Sequence, residues 1–148
     1  MFLLRPATER DARAIRALIR QVGINPTGLN WQRFWVAVDE AGQVVGCGQI
    51  KPHGDGSHEL ASIAVQPAYR GQGVARALME RLLATASTPL YLTCRASLRP
   101  LYEKFGFGVL ELAQMPPYFR RVWRVFHWLR RIFPDFEGLL VMRRPPPD

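Results

Sequence analysis

Residues 60–83, LASIAVQPAYRGQGVARALMERLL, constrain what this chain can fold into more than any other stretch. The run from Glu59 to Val65 reads as a strand that Pro67 stops, because proline has no amide to give a sheet ladder. Val74, Leu78 and Leu82, with Ala75, Met79 and Leu83, recur at helical spacing and predict a helix with a wide apolar stripe. Between strand and helix stand Arg70, Gly71 and Gly73. A helix start presents unpaired N–H groups and a partial positive charge, so an anion placed there is stabilised by both. Glycines let the backbone approach a bulky phosphate, and Arg70 adds a full charge with a planar fork of donors. The combination suits a pyrophosphate. Two common nucleotide loops do not fit: no GxxxxGK[ST] occurs, and Arg76 stands where a dinucleotide loop needs its third glycine.

Elements of both kinds alternate around this centre. Phe2–Leu4 reads as a short strand. Thr8 and Asp11 form a capping pair opening a helix in which Ala12, Ile15, Leu18, Ile19 and Val22 recur opposite Arg13, Arg16 and Arg20, ending near Gly23. Residues 24–34 are rich in turn formers, with Trp31 expected to be exposed. Strands Phe34–Val38 and Gln43–Lys51 follow as a hairpin, and HGDGS at 53–57 is a further turn. Pro89–Thr93 predicts a strand, Ser97–Phe105 a helix capped by Gly106, Phe107–Leu112 another strand, and GLLVMRR at 138–144 the last. This order argues a mixed α/β sheet with helices on its faces, in a single domain over 1–148.

Length and composition support an ordered fold, since 148 residues with 48% apolar content can bury a core without disulfides or metal. Cys47 and Cys94 stand alone, without a CxxC or a nearby histidine pair, so both are expected to be buried and neither a metal site nor a disulfide is indicated. The longest charge-free run, Leu82 to Cys94, is too short to span a bilayer. Beyond Met1 only Phe2, Leu3 and Leu4 precede Arg5, which leaves no room for a signal-peptide core, so a cytoplasmic address is expected.

The pattern RxxGxA, as Arg70, Gly73 and Ala75, together with LYEKFGF at 101–107, resembles the GNAT superfamily of acetyl-CoA-dependent N-acetyltransferases. The resemblance runs from Phe2 to Leu112 and resumes at 138–144, in the family's element order. It implies a GNAT-like acyl-CoA N-acyltransferase fold, acetyl-CoA as co-substrate, and direct attack of a primary amine on the acetyl group. It also implies that backbone amides of Arg70, Gly71, Gln72, Gly73, Val74 and Ala75 hold the coenzyme A pyrophosphate. Ala64 and Val65 would pair with the pantetheine arm where the strands at 59–65 and 89–93 part. By the same resemblance Tyr102 is the proton donor to the departing thiolate, and Glu59 occupies the place from which some members deprotonate the amine, usually through water. The chain departs from the family at Arg95 and Leu98, where many members carry an asparagine and an alanine that contact the cofactor.

The chemistry leaves alternatives beside these assignments. A phenol, at about 10, lies above a thiol, at about 8.5, so hydrogen-bond stabilisation of the thiolate stands beside full proton transfer. Leu98, Leu101, Tyr102 and Phe105 share one helical face, so a core role for Tyr102 is open. A carboxylate near 4.3 is a poor match for an amine near 10.4 without a water relay, and His58 is a rival base to Glu59. An oxyanion would be met by a backbone N–H near Ala64 or Val65, a position that requires a β-bulge. A non-catalytic acyl-CoA-binding or scaffold domain is the alternative function.

Between the last two strands lies PPYFRRVWRVFHWLRRIFPDF, read as a helical insertion at about 116–133. On a wheel Tyr118, Val122, Val125, Leu129 and Ile132 align with Phe119, Trp123, Phe126 and Phe133, opposite Arg120, Arg124, His127 and Arg131. The insertion carries five arginines and no acid, within a chain of net charge +8. Its readings are a lid over the acceptor site, a homodimer element, and an interfacial helix on anionic lipid, with single-stranded nucleic acid a lesser one. By the family resemblance the first-helix loop shapes the acceptor pocket, and Trp31 and Phe34 facing the insertion would make that pocket aromatic and partly apolar. The sequence names no acceptor.

Overall fold

The computed structural model describes residues 1–135 and 137–148. Phe136, which closes the aromatic run at 116–136, lies outside the described residues. The strands are β1 (Leu3–Pro6), β2 (Phe34–Val38), β3 (Val44–Pro52), β4 (His58–Val65), β5 (Leu90–Arg95), β6 (Gly108–Val109) and β7 (Leu139–Arg144). The helices are α1 (Ala12–Val22), α2 (Val74–Thr85), α3 (Arg99–Glu103) and α4 (Pro117–Ile132). The seven strands run in the order β1-β2-β3-β4-β5-β7-β6, with β4 and β5 parallel and β1–β2, β2–β3, β5–β7 and β6–β7 antiparallel.

Contacts cluster into two compact units, Met1–Lys51 with Leu60–Thr85, and Pro52–Glu59 with Ala86–Asp148. In the first unit the strand period of two sends alternate β2 residues to two cores. Phe34, Val36 and Val38 pack with Ile15, Leu18 and Ile19 of α1, while Ala37 packs with Val74 and Leu78 of α2. Gly46 permits the close approach of α2, because a Cβ there would stand 2.7 Å from Val74. Thr8 and Asp11 form the expected capping box, and Asp11 also takes two hydrogen bonds from Arg5, at 2.7 and 3.0 Å. Gly23 closes α1 in the left-handed conformation.

In the second unit the β5–β7 register places Leu90, Leu92, Cys94 and Met142 on one face and Tyr91, Thr93 and Val141 on the other. The latter face is covered by α4, whose Phe119 is fully buried with Met115 and Val141. On the former, Cys94 and Met142 bring their sulfurs to 3.7 Å. Both cysteines are buried thiols, and burial pushes Cys47 up to about 12 and Cys94 up to about 11. Among the described residues no helix is long and apolar enough to cross a membrane.

Four local expectations need correction. The helix expected over Ser97–Phe105 is a 3₁₀ turn at Ala96–Leu98 followed by the short α3, because Pro100 fits only a first turn and disfavours helix before it. The strand expected over Phe107–Leu112 is in register with β7 at Gly108 and Val109, with one further bond from the Leu110 amide to the Val141 carbonyl at 2.9 Å, and stops there as Glu111 and Gln114 build a capping box for a 3₁₀ turn at Leu112–Gln114. Trp31 is half-buried against the α1 core and Phe34 lies inside it, 2% exposed, so Phe34 is not a pocket lining. The buried side of α4 is narrower than the wheel suggests: Val125 and Ile132 face out, whereas Arg120 and His127 are half-buried. Arg120 donates to the Met115 carbonyl at 3.0 Å and His127 stacks on Trp123 at 3.6 Å, so each has a partner inward.

Candidate functional site

The first unit supplies a helix mouth. The end of β4 is pinned by Gln66, whose amide and side chain donate to the carbonyls of Val45 and Val44 at 2.8 and 2.9 Å. A 3₁₀ turn at Pro67–Tyr69 follows, and the Tyr69 hydroxyl reaches Asp39 at 3.3 Å. The chain then passes through Gly71 at φ +78° and Gly73 at φ +83° before α2 begins at Val74. A Cβ at either glycine would meet nothing within 4 Å. The glycines are therefore required by the left-handed backbone itself rather than by close packing within the protein. The Gly73 carbonyl accepts from Ala77, which makes Gly73 the helix cap and leaves the amides of the first turn without helical partners. Arg70 is exposed and has no acidic partner among the described residues.

Upstream, β4 carries a local backbone irregularity at Ser62. Ser62, at φ +60°, is the one non-glycine residue with positive φ among the described residues. Such a conformation persists only where its surroundings hold it. Here fully buried Gln49 donates to the Ser62 hydroxyl at 2.8 Å and to the Gly28 carbonyl at 3.2 Å, and the Cys47 thiol reaches the Ser62 carbonyl at 3.5 Å. The Gln49 Oε1 is buried without a partner. Ala64 and Val65 follow with buried side chains. Among the described residues β4 and β5 pair only at His58↔Leu90 and Glu59↔Tyr91.

The second unit gathers the ionisable groups. Parallel register puts Glu59 on the same face as Tyr91, under α4, and His58 on the other. Glu59 meets His53 Nε2 at 2.7 Å, both side chains being largely buried. The His53 ring lies 3.6 Å from that of Tyr118, nearly parallel, and edge-on to Phe119. Asp55 closes the turn by accepting from the Ser57 amide at 2.9 Å, while its other oxygen accepts from the Tyr118 amide at 2.9 Å. Burial pushes the Asp55 carboxyl up, but the bonds from Ser57 and Tyr118 and the nearby His53 outweigh it and hold it at about 2. Burial raises the Tyr118 phenol, and the charge of Glu59 raises it further. The His58 Nδ1 is buried without a partner.

Tyr102, on α3, lies close to Cys94 and edge-on to Phe107, which places it on the opposite face of β5 from Glu59. Burial, then Cys94, raises its phenol. Its helical neighbours Leu98 and Leu101 are exposed, so that side of α3 is not a closed core. Arg95 is exposed, and its charge helps lower Glu137. His53, Asp55 and Tyr118 escaped the sequence reading. The signal was present in HGDGSHE, because a tight turn at 53–57 sets residue 53 opposite 57 and so brings residue 59, two further along the returning strand, within diagonal reach of residue 53.

Residues 30–109 match the family described as Acetyltransferase (GNAT) domain, just over half of the chain. A curated relative, an amino-acid acetyltransferase of Mycobacterium tuberculosis, is 42% identical over 57 residues, 37% of this chain and 33% of that protein. Among solved structures, the N-acetylglutamate synthase of Neisseria gonorrhoeae with coenzyme A and N-acetyl-glutamate superposes with a TM-score of 0.77 at 17% identity, covering all of this chain and 36% of that one. The Mycobacterium tuberculosis protein Rv2747, solved in complex with CoA, gives 0.72 at 25% identity over 97% and 98% of the two chains. The ribosomal-protein-S18-alanine N-acetyltransferase of Escherichia coli gives 0.71 at 20% identity over 100% and 96%. The chain thus spans about a third of the length of the first relatives it matches.

Proposed function

Because the chain belongs to the GNAT acetyltransferase family, we propose that residues 1–148 act as one cytoplasmic domain transferring an acetyl group from acetyl-CoA to a primary amine. The observation that carries this reading is the helix mouth, where two left-handed glycines and Arg70, whose guanidinium has no acidic partner among the described residues, stand at the start of a twelve-residue helix. The N–H groups of Gly71, Gln72, Gly73, Val74 and Ala75 suit the pyrophosphate, while the Arg70 amide is taken by the Pro67 carbonyl at 3.3 Å and leaves its guanidinium for the phosphates; the backbone of Ala64 and Val65 suits the pantetheine amides. Acetyl-CoA would supply an activated thioester; the remaining tasks fall to side chains.

Glu59 takes the proton that the amine must lose, through a water where the amine stands too far for direct transfer. His53 fixes the carboxylate by its 2.7 Å contact, and Tyr118 fixes His53 by stacking. A backbone N–H near Ala64 or Val65 would meet the developing oxyanion. Tyr102 stands on the face opposite Glu59, where the thiolate departs as the amine arrives. Its raised pKa keeps it a neutral donor, so it stabilises the thiolate by a hydrogen bond more than by full transfer. The acceptor class to test first is the α-amino group of an amino acid, since relatives are named for that activity. A polycationic acceptor is disfavoured by the net charge of +8.

A second reading, a non-catalytic acyl-CoA-binding or scaffold domain, is favoured by Arg95 and exposed Leu98, where many family members hold cofactor-contacting residues. In either reading α4 is an accessory helix whose outward side contacts a partner surface. Calorimetry with acetyl-CoA tests what the two readings share. Saturable binding weakened by Arg70→Ala is expected, and the absence of binding would remove both.

A further inference from the structure

Acetyl transfer leaves the outward side of α4 unused. Val125, Trp128 and Ile132, at positions i, i+3 and i+7, are 57%, 59% and 54% exposed. One turn of helix brings such positions into a single stripe. Arg124 and Arg131 are exposed beside that stripe, and exposed Arg121 stands in line with it one turn before Val125, at its N-terminal end. By contrast Arg120 is bonded to the Met115 carbonyl and Arg130 lies beside Gly138, so their charges are directed elsewhere. From Pro116 to Phe133 there is no acidic residue, and Glu137 beyond it accepts from the Ser97 amide at 2.6 Å. An apolar stripe containing a tryptophan, flanked by arginines and held in the open by a buried Phe119 on the other side, is the reverse of what a helix serving only its own core presents.

We propose that α4 docks the protein on an anionic membrane surface, lying in the plane of the interface. Val125, Trp128 and Ile132 enter the boundary between headgroups and acyl chains. Arg121, Arg124 and Arg131 meet lipid phosphates. Charge complementarity selects this occupant. A second copy of the chain would bring a helix with five arginines and no acid against its equal, so repulsion opposes self-pairing. A nucleic acid would use the arginines but would leave the centre of the stripe, two aliphatic side chains beside one indole, without stacking partners. Lipid satisfies both parts. Sixteen residues lie along the surface without crossing it.

The test is co-sedimentation of the intact chain with vesicles of phosphatidylcholine alone or with one third phosphatidylglycerol, at low and at moderate salt. Pelleting with the anionic vesicles, reduced by salt and small with phosphatidylcholine alone, is expected. Arg124→Ala and Arg131→Ala should each lower the partition coefficient about fivefold, and Trp128→Ala about tenfold, with unchanged circular dichroism and acetyl-CoA binding. No pelleting with anionic vesicles, or pelleting indifferent to Trp128→Ala, would overturn the proposal. So would a dimer in sedimentation velocity that Trp128→Ala dissolves, or binding to a single-stranded oligonucleotide in preference to vesicles. Because acetyl-CoA binding is read in the same samples, failure here is distinguishable from failure of the acetyltransferase reading.

Discussion

Glu59 is useful as a base only if its carboxylate is held where an amine can approach, and His53 does the holding at 2.7 Å from a position six residues upstream. Replacing Glu59 by Gln keeps the shape and removes the basicity. We expect kcat for amine acetylation to fall about 10²-fold or more, with acetyl-CoA binding unchanged. His53→Asn should fall less and shift the acid limb of the pH–rate profile, as a positioning residue would; an unchanged rate in Glu59→Gln would return the role to His58 or to neither. Asp55 makes a separate prediction about stability. Its carboxyl lies at about 2 against 3.8 in the unfolded chain, so it binds protons less readily when folded. Its contribution is therefore complete above about pH 4 and is lost as the pH falls toward 2. Asp55→Asn should lower the urea midpoint at neutral pH and flatten its decline over that acid window.

At the scale of elements, the turn from β4 into α2 shows what local geometry demands. Gly73 sits at φ +83° in open space, so an alanine there meets no clash and suffers only the left-handed backbone. Gly73→Ala should cost about 1–2 kcal/mol in thermal or urea unfolding and weaken acetyl-CoA binding as the first-turn amides tilt. An unaffected affinity would show that the helix mouth is not the pyrophosphate site. Periodicity made α1, α2 and the β2–β3 hairpin legible, because each has one strongly apolar face, and α1 and the hairpin also carry explicit signals in Gly23 and the turn after Asp39. The region from Ser97 to Gln114 was less legible. There Pro100 and the Glu111–Gln114 capping box override apolar spacing over stretches too short for a period to register. In α4 the wheel located the helix but not its facing, since aromatic and aliphatic residues occupy more than half its circumference.

For the whole molecule, the sequence motifs lie in two separately clustered units, the glycine-arginine turn in one and Glu59 with Tyr102 in the other. The proposed donor site was readable because backbone binding of a pyrophosphate demands particular residue types at fixed spacing. The proposed acceptor side was readable only in part: the turn in HGDGSHE brings His53 to Glu59, but Tyr118 reaches His53 and Asp55 through packing of α4, which no spacing in the chain announces. The same packing leaves Val125, Trp128 and Ile132 outward. The claim on which the account turns is that the fold moves an acetyl group rather than merely holding its carrier. Amine-dependent release of the coenzyme A thiol from acetyl-CoA, followed across free amino acids and simple primary amines, tests it most directly. The account predicts release that requires an amine, yields a product heavier by one acetyl group, and drops about 10²-fold in Tyr102→Phe with acetyl-CoA affinity retained. Tight binding of acetyl-CoA with no amine acetylated, or a rate indifferent to Tyr102→Phe and Glu59→Gln together, would contradict it.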